Sequence, residues 1–139
     1  MSSKAPDSGV RETLANVLIV EDDIDSAEVL RLSLAHAGYA TRAALNAAAA
    51  VAIVEQGFLP DYAVVDIGLP EVSGLELIVT LRAKPGLEHC RFVAVSGYVL
   101  SGLPERSVAL GFDVHLTKPI DFDALLATFA REGARLRSG

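Results

Sequence analysis

The chain has 139 residues, of which 51% are hydrophobic, enough for one globular domain with a substantial core and too few for a clear second one. Lys and Arg number 12 against 18 Asp and Glu, a net charge of -6, which gives no electrostatic footprint for nucleic acid. A single cysteine, Cys90, excludes an internal disulfide. The first residues, MSSKAPDSGVRET, lack the apolar centre of a signal peptide, and nowhere do about 18 apolar residues run together, so a soluble, cytoplasmic protein without a membrane span is expected.

Residues 1–14, polar and rich in Ser, Pro and Gly, read as a flexible arm, with the domain proper over 15–135 and a short tail at 136–139. NVLIV is a short aliphatic run with no polar face, as expected of a strand covered on both sides. Ile24, Ala27, Leu30 and Leu34 recur at helical spacing up to Ala37, and Gly38 is a natural stop. Asp23 or Asp25 is a candidate cap for this helix. YATRA is a weak second strand, LNAAAAVAIVEQ a helix ended by Gly57, and DYAVVD a third strand. After a loop over 67–72, Ser73 caps the helix GLELIVTLRA. RFVAV and GFDVHL are strands four and five, SGLPERSVAL between them is a short helix, and DFDALLATFAREGARL is a final amphipathic one. The basic end REGARLRSG suits the negative end of a helix dipole better than a phosphate-binding tail.

Strands alternating with helices imply a parallel sheet with helices on both faces, the doubly wound α/β class. In such folds ligands sit beyond the carboxyl ends of the strands. The stretch VLIVEDD sets Glu21 and Asp22 directly after strand one, and acids against an aliphatic run need a partner or a cation. Asp66 closes strand three, Ser96 follows strand four and Lys118 follows strand five, all on the same edge. Three converging carboxylates suit a hard cation such as Mg²⁺, Lys118 supplies a charge for a phosphoryl oxygen, and Ser96 supplies a hydroxyl donor. Asp66 is the natural nucleophile, since a carboxylate can form an acyl phosphate.

Taken singly these residues are ordinary. Asp66 would be a turn residue, Lys118 a solvated lysine and Ser96 a turn serine before Gly97. Gly74 reads as a structural position that lets the chain enter a helix close to the site, and His36 and His89 have no metal-ligand spacing.

Together, VEDD, VVDIGLPEVSG, VSG and LTKP, in order and with strands between them, resemble the receiver domain of bacterial two-component response regulators, the CheY type, over roughly residues 15–135. The resemblance implies a five-stranded parallel sheet in the flavodoxin-like order 2-1-3-4-5. It implies that Asp66 accepts a phosphoryl group from a histidine kinase or histidine phosphotransfer protein, so the chain is a phosphoacceptor signalling domain rather than an enzyme. Mg²⁺ or Mn²⁺ would be held by Asp22, Asp66 and the backbone carbonyl of Gly68, with Glu21 acting mainly through a bound water. The Lys118-Pro119 bond is expected to be cis.

In this family the position of His115 commonly holds an aromatic that turns inward when the hydroxyl at Ser96 moves. His115 is therefore either a switch, reshaping the face of the fourth helix, fifth strand and final helix for a downstream protein, or a partly exposed strand histidine. Gly68 and Tyr98 flank the expected phosphoryl group and should tune its lifetime.

DIGLP and FDVHLTKP look most like receivers of hybrid histidine kinases, which points to a relay intermediate acting without nucleic acid or membrane and with homodimerisation open. With few residues after the last helix, no effector domain is expected on this chain. Three other readings compete. A nucleotide or flavin module lacks its phosphate-cradling Gly-rich loop. A haloacid-dehalogenase-like phosphatase would need a second Asp where Gly68 stands, and a receiver-like interaction module that takes no phosphate would leave the same sequence signs.

Overall fold

The computed structural model describes residues 13–69, 73–97 and 111–138, with side chains through 133. The strands are β1 (Asn16–Val20), β2 (Ala40–Ala44), β3 (Tyr62–Asp66), β4 (Arg91–Ser96) and β5 (Val114–Thr117). They form one sheet of order β2-β1-β3-β4-β5, and every pairing is parallel. Four helices accompany them among the described residues: α1 (Ile24–His36), α2 (Ala47–Glu55), α3 (Gly74–Arg82) and α4 (Phe122–Ser138). The arm over residues 1–12, Tyr98 and the helix expected in SGLPERSVAL lie outside the described residues.

Strand residues alternate between two cores. Leu18, Val20, Ala63, Val65, Phe92 and Ala94 pack under α2 and α3. Val17, Ile19, Val64, Val93 and Val95 pack with Leu34 of α1 and with Leu125 and Phe129 of α4. Each of the Val, Leu, Ile and Phe side chains contributes about 1.5–3 kcal/mol by leaving water, which is why the central strand runs carry no polar face. The α4 side is locked by aromatic contacts. Tyr62 stacks on Phe129 at 4.3 Å between centroids and donates its hydroxyl to the Phe129 carbonyl at 2.9 Å.

Local chemistry sets the helix ends. Asp23, not Asp25, caps α1 by accepting from the Ser26 amide, and Ser73 and Glu76 form a reciprocal capping box on α3. Gly38 and Gly57 take φ of +109° and +107° just after α1 and α2, a conformation that suits glycine and stops each helix. Ile24 departs from expectation. It shares the helical spacing of Ala27 and Leu34 but is 66% exposed, standing in the first turn of the helix.

The fifth strand also starts later than GFDVHL suggests, at Val114. Asp113 instead clamps the entry ends of β4 and β5: its carboxylate accepts from the Phe92 amide at 2.8 Å and from Arg82 at 2.9 Å, with Arg91 at 3.4 Å. Arg91 in turn lies 3.8 Å from the buried Glu132 of α4.

Candidate functional site

At the opposite, carboxyl edge of the sheet the strands end in polar residues. Glu21 continues the β1 ladder, its amide donating to the Ala44 carbonyl at 3.0 Å, and its side chain turns inward to 7% exposure. Asp66 ends β3 and is 8% exposed, whereas Asp22 faces solvent. Oxygens of Glu21, Asp22 and Asp66 lie within 4.8 Å of one another.

Lys118 reaches this cluster from the far side of the sheet. Its amide donates to the Ser96 carbonyl at 2.8 Å, extending the β4–β5 ladder, and the Lys118-Pro119 peptide is cis, as expected. The ammonium donates to Glu21 Oε1 at 2.7 Å and to Asp66 Oδ2 at 2.9 Å. The other oxygens are also held: Asp23 N–H donates to Glu21 Oε2 at 3.0 Å, and Gly68 N–H to Asp66 Oδ1 at 2.9 Å.

One ammonium shared by two acids leaves the cluster short of positive charge. Burial raises the Glu21 carboxyl above its ordinary value, the nearby Asp66 adds to the effect, and the hydrogen bonds from Lys118 and Asp23 oppose it. Burial pulls the Lys118 ammonium the other way, but its hydrogen bonds to Glu21 and Asp66 outweigh that and raise its value. The two directions are consistent, because the cation stays charged while Glu21 bears the residual repulsion. An oxygen-only donor set, partly buried and incompletely neutralised, fits a hard divalent cation.

The α3 helix starts hard against this edge. A Cβ on Gly74 would fall 2.6 Å from the Asp66 carbonyl oxygen and 2.8 Å from Ile67 Cα. The residue is therefore glycine for want of space, and Gly74 N–H donates to the Ile67 carbonyl at 3.0 Å.

Of the residues singled out in the sequence, Glu21, Asp22, Asp66, Gly68 and Lys118 come together here. Ser96, 3% exposed, ends β4 beside them, and its Oγ lies 3.2 Å from Nε2 of His115. That direct contact was not anticipated, although alternation and parallel pairing of β4 with β5 put both side chains on one face. Also unforeseen is a groove of about 620 Å³ beside the cluster, walled by Glu21 and Lys118 and by Val29, Leu30, Ile120 and Phe122. Its sequence sign was Val29, an apolar residue off the spacing of Ala27, Leu30 and Leu34 and 65% exposed in the structure.

The sequence profile of the response regulator receiver domain matches residues 17–130. The chain belongs to that family. Among receiver relatives, the polar-differentiation response regulator DivK of Brucella anthropi is 32% identical over 113 residues, covering 81% of this chain and 91% of DivK. A 14.6 kDa protein of Leptolyngbya boryana is 35% identical over 112 residues, covering 79% of this chain and 85% of its own. The crystal structure of a CheY-like receiver domain protein from Methanospirillum hungatei superposes with a TM-score of 0.80 at 26% identity, covering 91% of this chain and 98% of that one. Receivers of this kind are signalling domains of two-component systems, and no helix among the described residues is long and apolar enough to cross a membrane.

Proposed function

We propose that this receiver takes a phosphoryl group on Asp66 from a histidine kinase or histidine phosphotransfer protein, with Mg²⁺ or Mn²⁺ held by Asp22, Asp66 and the Gly68 carbonyl, Glu21 acting through a bound water. One observation carries the reading: Lys118, from the far side of the sheet, donates to Asp66 while the oxygens of Glu21 and Asp22 stand within 4.8 Å of the same carboxylate. In the reaction a carboxylate oxygen of Asp66 attacks phosphorus, the bond from phosphorus to the donor nitrogen breaks, and the imidazole keeps the electron pair and takes up a proton. When bound, the metal supplies positive charge to phosphoryl oxygens. Lys118 stays near the transferred group as a fixed cation, and Ser96 offers its hydroxyl to it.

The groove along α1 runs into the cluster through Glu21 and Lys118, so a donor helix seated on Val29 and Phe122 would bring its histidine to Asp66. Signalling onward runs through the face around β5 and α4 to a downstream protein, or through further transfer in a relay, a place the DIGLP and FDVHLTKP wording supports.

The test is incubation with acetyl phosphate or phosphoramidate and Mg²⁺ followed by intact mass. Wild type is expected to gain one phosphoryl group and Asp66→Asn none. A gain retained in Asp66→Asn, or no gain in wild type, would overturn the assignment. Val29→Asp should leave labelling by these small donors intact and slow transfer from the protein donor.

A further inference from the structure

Of the three clustered acids, Asp22 alone faces solvent, so burial does not fix its direction. The backbone on either side does. Before it, Glu21 N–H is tied to the sheet through the Ala44 carbonyl at 3.0 Å. After it, the peptide joining Asp22 to Asp23 is held by its N–H, which donates to Glu21 Oε2 at 3.0 Å. Asp23 in turn is fixed to α1. Its carboxylate accepts from Ser26 N–H at 2.9 Å and from the Ser26 hydroxyl, and its carbonyl accepts from Ala27 N–H at 2.9 Å.

We infer that Asp23 is a positioning residue: its cap on α1, together with its amide bond to Glu21, sets the direction in which Asp22 presents its carboxylate to a divalent cation. The inference rests on the reading of Asp22 as a metal ligand. Asp23 touches no ion itself, and no covalent bond is made or broken. Without the cap the first turn of α1 frays and the peptide after Asp22 is free to rotate. The cost of ordering Asp22 then falls on metal binding, as it does when other groups that orient a ligand are removed. The cap of α2 is the contrasting case: Asn46 accepts from Ala49 N–H at 2.8 Å, and none of the clustered acids stands beside it in the chain.

The probe is Mn²⁺ titrated into the full chain and followed by the electron paramagnetic resonance signal of the free ion, which needs neither phosphodonor nor activity. Asp23→Ala is expected to bind about three- to tenfold more weakly than Asp23→Asn. Both variants lose the same charge, and only asparagine restores the cap. Ser26→Ala, which keeps every charge and removes only the hydroxyl contact, is expected to lose about twofold. Asn46→Ala removes a cap of the same kind from α2 and is expected to bind Mn²⁺ as wild type does, so a general loss of helix stability is separated from a loss of aim. All titrations are made where circular dichroism shows each variant folded.

Equal affinity of Asp23→Ala and Asp23→Asn, or an equal loss in Asn46→Ala, would overturn the positioning role while leaving the cation site in place. If Asp23→Ala does not fold, a Ser26→Ala affinity equal to that of wild type overturns it instead. A free Mn²⁺ signal that wild type leaves undiminished, or binding retained in Asp22→Asn, would remove the cation reading and this inference with it.

Discussion

Replacing Gly74 by alanine isolates how tightly the first turn of α3 is pressed against the end of β3. The added Cβ would sit 2.6 Å from the Asp66 carbonyl oxygen and 2.8 Å from Ile67 Cα, where ordinary contact begins at 3.4 Å. Both obstacles are backbone, so no rotamer change relieves them. Overpacking of this kind costs about 1–3 kcal/mol, and more where strand and helix are both fixed. One effect opposes it: alanine makes the unfolded chain less flexible, the same entropy that underlies most of its better helix propensity, worth about 0.4–1 kcal/mol. The expected net loss is about 1–2 kcal/mol, which at an m-value of about 2 kcal/mol/M lowers the urea midpoint by roughly 0.5–1 M. Gly68→Ala is the matched control, because among the described residues its Cβ would meet only the Asp66 side chain, at 3.5 Å. Since the strain falls on the peptide that carries Asp66, labelling by acetyl phosphate should also slow in Gly74→Ala under conditions where both proteins are folded. A Gly74→Ala midpoint equal to or above wild type would refute the packing argument.

Three further outcomes are expected. Asp113→Ala strands Arg82, Arg91 and the Phe92 amide without their shared acceptor and should cost about 2–3 kcal/mol in chemical denaturation; an effect below about 0.5 kcal/mol would show that the clamp is ornamental. Glu21 holds its proton longer in the folded than in the unfolded chain, so in chelator its contribution to stability falls as pH rises above about 4.5 through its raised folded value; Glu21→Gln should flatten that decline, and parallel pH profiles for the two proteins would contradict it. Tyr98→Ala should alter the decay rate of the Asp66 acyl phosphate at fixed Mg²⁺, and unchanged decay would remove Tyr98 from lifetime control.

The centre of the sheet was legible because β1, β3 and β4 are nearly continuous apolar runs, which only a two-sided burial rewards, and because Gly38 and Gly57 mark where helices stop. The acidic cluster was legible for a related reason: Glu21, Asp22 and Asp66 interrupt those runs at the same end, and the carboxyl edge of a parallel sheet brings such residues together. What the sequence concealed depends on three-dimensional register. Ile24 keeps helical spacing with Ala27 and Leu34, but periodicity does not reveal that the first turn projects past the core. Asp113 looked like part of a strand, because nothing local announces that its carboxylate will serve two arginines and an amide from other elements. Gly74 was recognisable as a structural glycine, yet the spatial reason, a backbone carbonyl 2.6 Å from where a Cβ would stand, appears only once α3 is docked. The contact between Ser96 and His115 required the pairing of β4 with β5.

The ionic clamp around Asp113 and the acids around Asp66 occupy opposite poles of the same strands: Arg91 opens β4 and Ser96 closes it, Asp113 precedes β5 and Lys118 follows it. Robustness and reactivity are thereby assigned to separate addresses. A lineage carrying this scaffold into hotter or saltier surroundings has a place to retune its guanidinium contacts without disturbing its chemistry.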